Sequence, residues 1–140
     1  MNPADIDRVQ ASFQRLAAAP EALATDFYTR LFGLDPSVRP LFRDDLGSQG
    51  RTLTAALAHV VHGLGRLDTI LEDVRNLARR HAAYGVEPSH YGTVGEALLA
   101  TLEVRLGPDF TPDLRAAWTE AYARVAGAMM AACAPVRSAA

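Results

Sequence analysis

The sequence predicts an all-α fold, six to eight helices in one domain. Three observations carry this. Apolar residues recur at three- and four-residue intervals along nearly the whole chain. No segment alternates with a two-residue period, and no Asn-Gly or Asp-Gly turn marks a hairpin. The chain has 140 residues and is 49% hydrophobic, which is one-domain length with enough apolar side chains for a real core.

Each element follows in order. Ile6, Val9, Phe13 and Leu16 form a first helical stripe, closed by the AAAP stretch ending at Pro20. Leu23, Phe27, Leu31 and Leu34 form a second, with Tyr28 and Phe32 one step around. Pro36 and Pro40 frame a short helical turn running into Leu41 and Phe42, and the polar stretch RDDLGSQG (43–50) reads as the longest loop. A third helix turns Leu53, Ala56, Leu57, Val60, Val61 and Leu64 inward until Gly63 and Gly65 end it. The fourth is expected from about Asp68 to Tyr84. Pro88 suits the first turn of a fifth, carrying Tyr91, Val94, Leu98, Leu102 and Leu106. Thr111-Pro112, a cap residue and a first-turn proline, opens the last helix through Leu114, Trp118, Tyr122, Val125 and Met129. The expected domain is 1–140, with a frayed tail from about residue 134.

Composition excludes several functions. A formal net charge of −2 gives no electrostatic case for nucleic acid or an anionic membrane. Every basic residue is arginine. Cys133 is the lone cysteine, so no internal disulfide forms, and a small buried thiol is expected. The N-terminal MNPADIDRVQ is polar, unlike a signal peptide, and no apolar run approaches the ~20 residues that span a bilayer. The expected compartment is the cytoplasm. Phosphate-loop, Cys-x-x-Cys, Gly-x-Ser-x-Gly and calcium-loop patterns are all missing from the sequence.

The chemistry gathers on NLARRHAAYGV (76–86), where the stripe of Ile70, Val74 and Leu77 ends in His81. The simplest reading is a core-edge histidine bonded to a carbonyl one turn back. One histidine cannot build a zinc site, but it can hold a haem, because the porphyrin supplies the other four donors. His59 and His62 stand three apart with only Val60 and Val61 between them, which reads as a surface pair. His90, at a helix start, is expected to be exposed. A haem needs apolar walls, an aromatic and a polar group opposite the iron. Tyr28, Phe42, Gln49 and Leu53 supply these types, and spacing leaves open whether they converge.

Several segments in order now carry a resemblance: FYTRLF (27–32), PxxRPLF ending at Phe42, SQGRTL (48–53), LARRHAAYGV (77–86), HYGTVGEALLATL (90–102) and LGPDFTPDLRAAWTEAY (106–122). From about Ile6 to Met130 the chain resembles bacterial single-domain globins, close to the globin part of flavohaemoglobins, and is also similar to neuroglobin. The resemblance implies a globin fold enclosing haem b, with His81 as the proximal iron ligand and Phe42 as the aromatic wedged on the porphyrin. Gln49 takes the distal position, Leu53 the aliphatic position one turn on, and Tyr28 the distal tyrosine. Leu77, Val86, Tyr91 and Val94 match proximal-side and haem-edge positions. The implied ligands are O2, NO and CO, at an iron left five-coordinate or water-bound because glutamine is a poor iron ligand. Tyr28 and Gln49 would then serve either reversible O2 binding, in storage or transport, or nitric oxide dioxygenation for detoxification. The second needs a separate reductase, since flavohaemoglobins continue into one and this chain ends near residue 140. Flavohaemoglobins also carry a glutamate near the end of the last globin helix, reaching the proximal histidine through a tyrosine. Tyr91 fits that tyrosine, but GAMMAACAPV (127–136) lacks the acid.

Overall fold

Proline stands at the first position of four of the six long helices, where its missing N–H would have had no partner anyway. The computed structural model describes residues 1–42 and 45–133. In order the helices are α1 (Pro3–Ala17), α2 (Pro20–Leu34), α3 (Leu46–His62), α4 (Leu71–Ala83), α5 (Pro88–Leu106) and α6 (Pro112–Cys133). Short 3₁₀ turns at Pro36–Leu41, Leu64–Arg66 and Gly107–Asp109 join them, and no strand occurs among the described residues. Side chains close the helix starts. Asn2 accepts from the Asp5 N–H at 2.8 Å, Asp45 from Ser48 at 3.1 Å, and Thr111 from Leu114 at 3.2 Å.

Two boundaries differ from the sequence expectation. The stretch expected as a loop at 43–50 is helical from Leu46 onward, because Asp45 caps it and the polar Gly47 and Ser48 lie on the exposed side of the first turn. Arg43 and Asp44 lie outside the described residues, as does the tail expected to fray from 134. The fourth helix starts at Leu71 rather than Asp68. Thr69 Oγ1 donates back to the Arg66 carbonyl at 2.7 Å, a local bond that competes with helix entry and holds the turn open.

Packing follows the stripes. Helix α2 lies between α3 and α5, α1 crosses α3 and α6, and α4 packs on α6. At Gly50 the backbone of α3 comes so close to α2 that a Cβ there would sit 2.8 Å from the Ala24 methyl. Val9, Phe13, Leu23, Leu31, Leu102 and Trp118 lie in the main core. Its few polar side chains are hydrogen-bonded within the fold, as where the Trp118 indole donates to Ser12 Oγ at 2.9 Å. A second, smaller core of Ile70, Val74, Ala78 and Met129 joins α4 to α6. Val125 touches both cores, while α3 and α4 scarcely pack on each other. That gap holds the candidate site.

Candidate functional site

Helix α4 delivers His81 within its last turn. Its Nδ1 lies 2.8 Å from the Leu77 carbonyl, and a carbonyl only accepts, so Nδ1 carries the proton and Nε2 keeps its lone pair. Burial pushes the imidazole pKa down, opposed by the Leu77 bond and reinforced by the Arg80 charge, so the ring stays neutral near pH 7. The hydrogen bond expected of an inert core histidine is thus present. It is also the bond that orients a metal-ligating histidine. After the helix, Gly85 adopts φ +97°, which a side chain would resist, and Val86 donates its N–H to the His81 carbonyl at 3.0 Å. A Cβ on Gly85 would meet Leu41 at 3.2 Å, so the α4–α5 corner rests beside the turn that presents Phe42.

Opposite α4, the inward face of α3 carries Leu53, Ala56, Leu57 and Val60, all only half-buried. Tyr28 is 5% exposed, and burial pushes its phenol pKa up to about 12, so it remains an O–H donor at neutral pH. Its ring stacks on Phe32 at 5.8 Å and meets Phe42 edge-on at 5.2 Å. Gln49 is half-buried, and its Oε1 is fully buried with no hydrogen-bond partner among the described residues. Leu77, Val86, Tyr91 and Val94 are likewise half-buried. Tyr91 and Leu77 pack against the smaller core, whereas Val94, Phe42 and Leu53 pack against the larger. These five residues therefore divide between the two cores.

Three of the remaining expectations resolve differently or more sharply. His90 is not exposed. Its Nδ1 accepts the Glu87 N–H at 2.9 Å in a capping box, which half-buries the ring at the start of α5. Cys133 is exposed rather than buried, because it falls on the outer side of the last turn of α6. His59 and His62 are both exposed, and His59 reaches across to Asp73 on α4 at 3.0 Å. No metal-binding group of three or more His, Cys, Asp or Glu occurs among the described residues.

Do these residues fit a haem? An amide oxygen buried without a partner costs about 1–3 kcal/mol, and the cost disappears if the amide faces a polar ligand. Among the described residues Gln49 is such a group. A half-buried apolar face on α3, facing a helix it scarcely packs against, fits a flat apolar group between them. His81 offers one neutral nitrogen with a free lone pair. The donor set and the two walls fit the group.

Three contributors were not singled out from sequence. Arg39 donates to the Phe42 carbonyl at 3.1 Å while its guanidinium lies 5.3 Å from the Phe32 ring centre, tying both aromatics to the short turn. Tyr122 donates its hydroxyl to the Tyr91 carbonyl at 2.6 Å, with its ring over Gly95. Asp73 meets His59 across a cleft of about 270 Å³ at the α3–α4 edge. Arg39 had a signal, standing inside the PxxRPLF stretch. The other two depend on pairs far apart in the chain.

A globin family model matches residues 25–129. The flavohemoproteins of Bordetella pertussis and Bordetella parapertussis are each 36% identical over 121 residues, covering 84% of this chain and 30% of theirs. The chain thus spans about 30% of the length of the curated relatives it matches. Among solved structures, a bacterial globin from Campylobacter jejuni superposes with a TM-score of 0.83 at 25% identity, covering 94% of this chain and 95% of that one. An engineered carbene transferase from Rhodothermus marinus, named as a candidate nitric oxide dioxygenase, gives 0.80 at 29% identity, with coverages of 91% and 89%.

Proposed function

The chain belongs to the globin family, and on that premise we propose that it binds O2 reversibly, along with NO and CO, at a haem b held by His81. Globin and flavohemoprotein relatives bind haem b. Haem, held by His81, would supply an iron able to bind a diatomic gas. The observation that carries the reading is the His81 Nδ1 bond to the Leu77 carbonyl at 2.8 Å, which leaves Nε2 as a fixed, neutral donor.

The other residues have distinct tasks. Phe42, Leu53, Leu77, Val86, Tyr91 and Val94 form the apolar walls that seat the porphyrin and keep water out. Tyr28 keeps its phenol proton and donates it to a gas ligand bearing partial negative charge. Gln49 can turn either end of its amide toward the site, so it presents its N–H to the same ligand as a second donor. Glutamine is a weak iron ligand, which leaves the distal side open or occupied by water. Arg80, adjacent to His81, disfavours its protonation and so keeps the ligating nitrogen available.

A second reading is nitric oxide dioxygenation, in which NO, O2 and one electron from a separate reductase give nitrate. The flavohemoprotein relatives and the Rhodothermus marinus neighbour favour it. The two readings share a pocket and differ in turnover. Stopped-flow mixing of the oxygenated protein with NO, followed by addition of a reductase, separates them: repeated nitrate formation marks the enzyme, and a single turnover marks the binder.

The site itself is tested more simply. Haem-loaded protein is expected to show a Soret band that shifts with CO, and His81→Ala to lose that axial ligation. An unchanged spectrum in the variant overturns the assignment. Tyr28→Phe and Gln49→Leu are each expected to speed O2 release by roughly ten- to a hundredfold, the worth of one hydrogen bond to a charged partner. If neither changes the rate, the distal roles are wrong.

A further inference from the structure

The short turn after α2, Pro36–Leu41, is stiff by composition. Pro36 opens it and Pro40 lies within it, so two of its six residues have a fixed φ and no N–H. Asp35 caps its start by accepting the Ser37 N–H at 3.0 Å, and Val38 anchors it in the main core. Phe42 is the first residue past the turn, in extended backbone at φ −93° and ψ 91°. Both polar groups of its backbone are bonded to one residue. The Phe42 N–H donates to the Arg39 carbonyl at 3.1 Å, and the Phe42 carbonyl accepts from Arg39 Nη1, also at 3.1 Å. The same guanidinium lies 5.3 Å from the centre of the Phe32 ring. Phe42 meets Phe32 and Tyr28 edge-on, at 5.3 and 5.2 Å, and those two rings stack with their planes 7° apart.

We propose that Arg39 is a positioning residue: it holds the Phe42 ring against the Tyr28–Phe32 stack, and haem retention depends on that hold. The inference rests on the reading of Phe42 as the aromatic that packs on the porphyrin. A phenylalanine at the end of a turn can move with its backbone as well as by changing rotamer. One side chain that bonds the backbone on both sides removes the first freedom, and edge-on contact with two rings removes most of the second. Arginine suits both tasks at once. Its planar group donates to a carbonyl through one nitrogen while its delocalised charge sits over an aromatic ring. A lysine ammonium is a point charge on a flexible stem and serves one such partner at a time. Arg39 is itself exposed, so its part in the site is indirect and its replacement leaves no hole in the core.

The test compares the full haem-loaded chain with Arg39→Leu, Arg39→Lys and a control, Arg105→Leu. The control breaks a 3.2 Å ion pair to Asp26 that joins α5 to α2. Haem transfer to an excess of an apoglobin acceptor is expected to be about tenfold faster in Arg39→Leu, which loses both contacts, and about threefold faster in Arg39→Lys, which keeps one. The ratio of the two haem orientations, read from the haem-methyl resonances of the cyanide-bound ferric protein, is expected to change in Arg39→Leu. In Arg39→Lys it is expected to return toward the unmodified ratio. Arg105→Leu is expected to move neither reading. Haem loss in Arg39→Leu within about twofold of the unmodified rate overturns the proposal. So does an orientation ratio untouched by Arg39→Leu, or an equal acceleration in Arg105→Leu, since either makes haem loss a measure of general stability. Failure of the haem reading looks different, because the unmodified protein would then show no Soret band that shifts with CO.

Discussion

His81 shows how one side chain satisfies a structural and a chemical demand together. Its Nδ1–H bond to Leu77 repeats what any buried histidine near a helix end would do, and the same bond fixes the tautomer that leaves Nε2 free. Burial lowers its pKa from the 6.5 of a free imidazole. In the unfolded chain the ring takes up a proton near 6.5, while the folded haem-free chain resists until lower pH. The unfolded state therefore binds more protons in that window, and stability falls as pH drops below about 6.5 toward the folded pKa. Urea titrations of the haem-free protein at pH 7.5 and 5.5 are expected to show this loss, and His81→Leu to show less of it. Gln49 makes the complementary point. The SQGRTL segment already pointed to it by resemblance, and the structure adds a buried oxygen without a partner among the described residues.

At the scale of helices, close crossings decide the geometry. On α5 a Cβ at Gly95 would lie 2.7 Å from the Tyr122 ring on α6, and Tyr122 in turn holds the Tyr91 carbonyl. Gly95→Ala is expected to displace that ring, weaken its hydrogen bond and cost about 1–3 kcal/mol by overpacking. A urea midpoint lowered accordingly, together with a shifted Tyr122 resonance, would check it. If stability is unchanged, the ring moves freely and does not fix Tyr91. Helix boundaries were largely legible, since Pro20, Pro88 and Thr111-Pro112 stand where helices begin. The exceptions were local contests. Asp45 drew LGSQG into a helix, and the Thr69 side chain kept residues 68–70 out of one.

For the molecule as a whole, the notable feature is a core in two parts. Most helices pack into the larger one, whereas α4 is held chiefly by α6 through Ile70, Val74, Ala78 and Met129. Without a group filling the gap, α4 has the fewest buried contacts to protect it. Hydrogen exchange on the haem-free chain is therefore expected to be fastest in α4 among the long helices and to slow there most on haem addition. Equal protection of all six would mean that the gap closes on itself. No helix among the described residues is long and apolar enough to cross a membrane. The sequence by itself determined the helical class, the stripe that ends in His81 and the ordered segments that mark the globin family, because periodicity and segment order are written along one chain. Tertiary structure alone decided that α3 and α4 stay apart, that Phe42 meets Tyr28 and Phe32 and that Cys133 faces outward. Each of those depends on which faces meet across the fold, and a stripe of apolar residues says that a face is buried without saying against what.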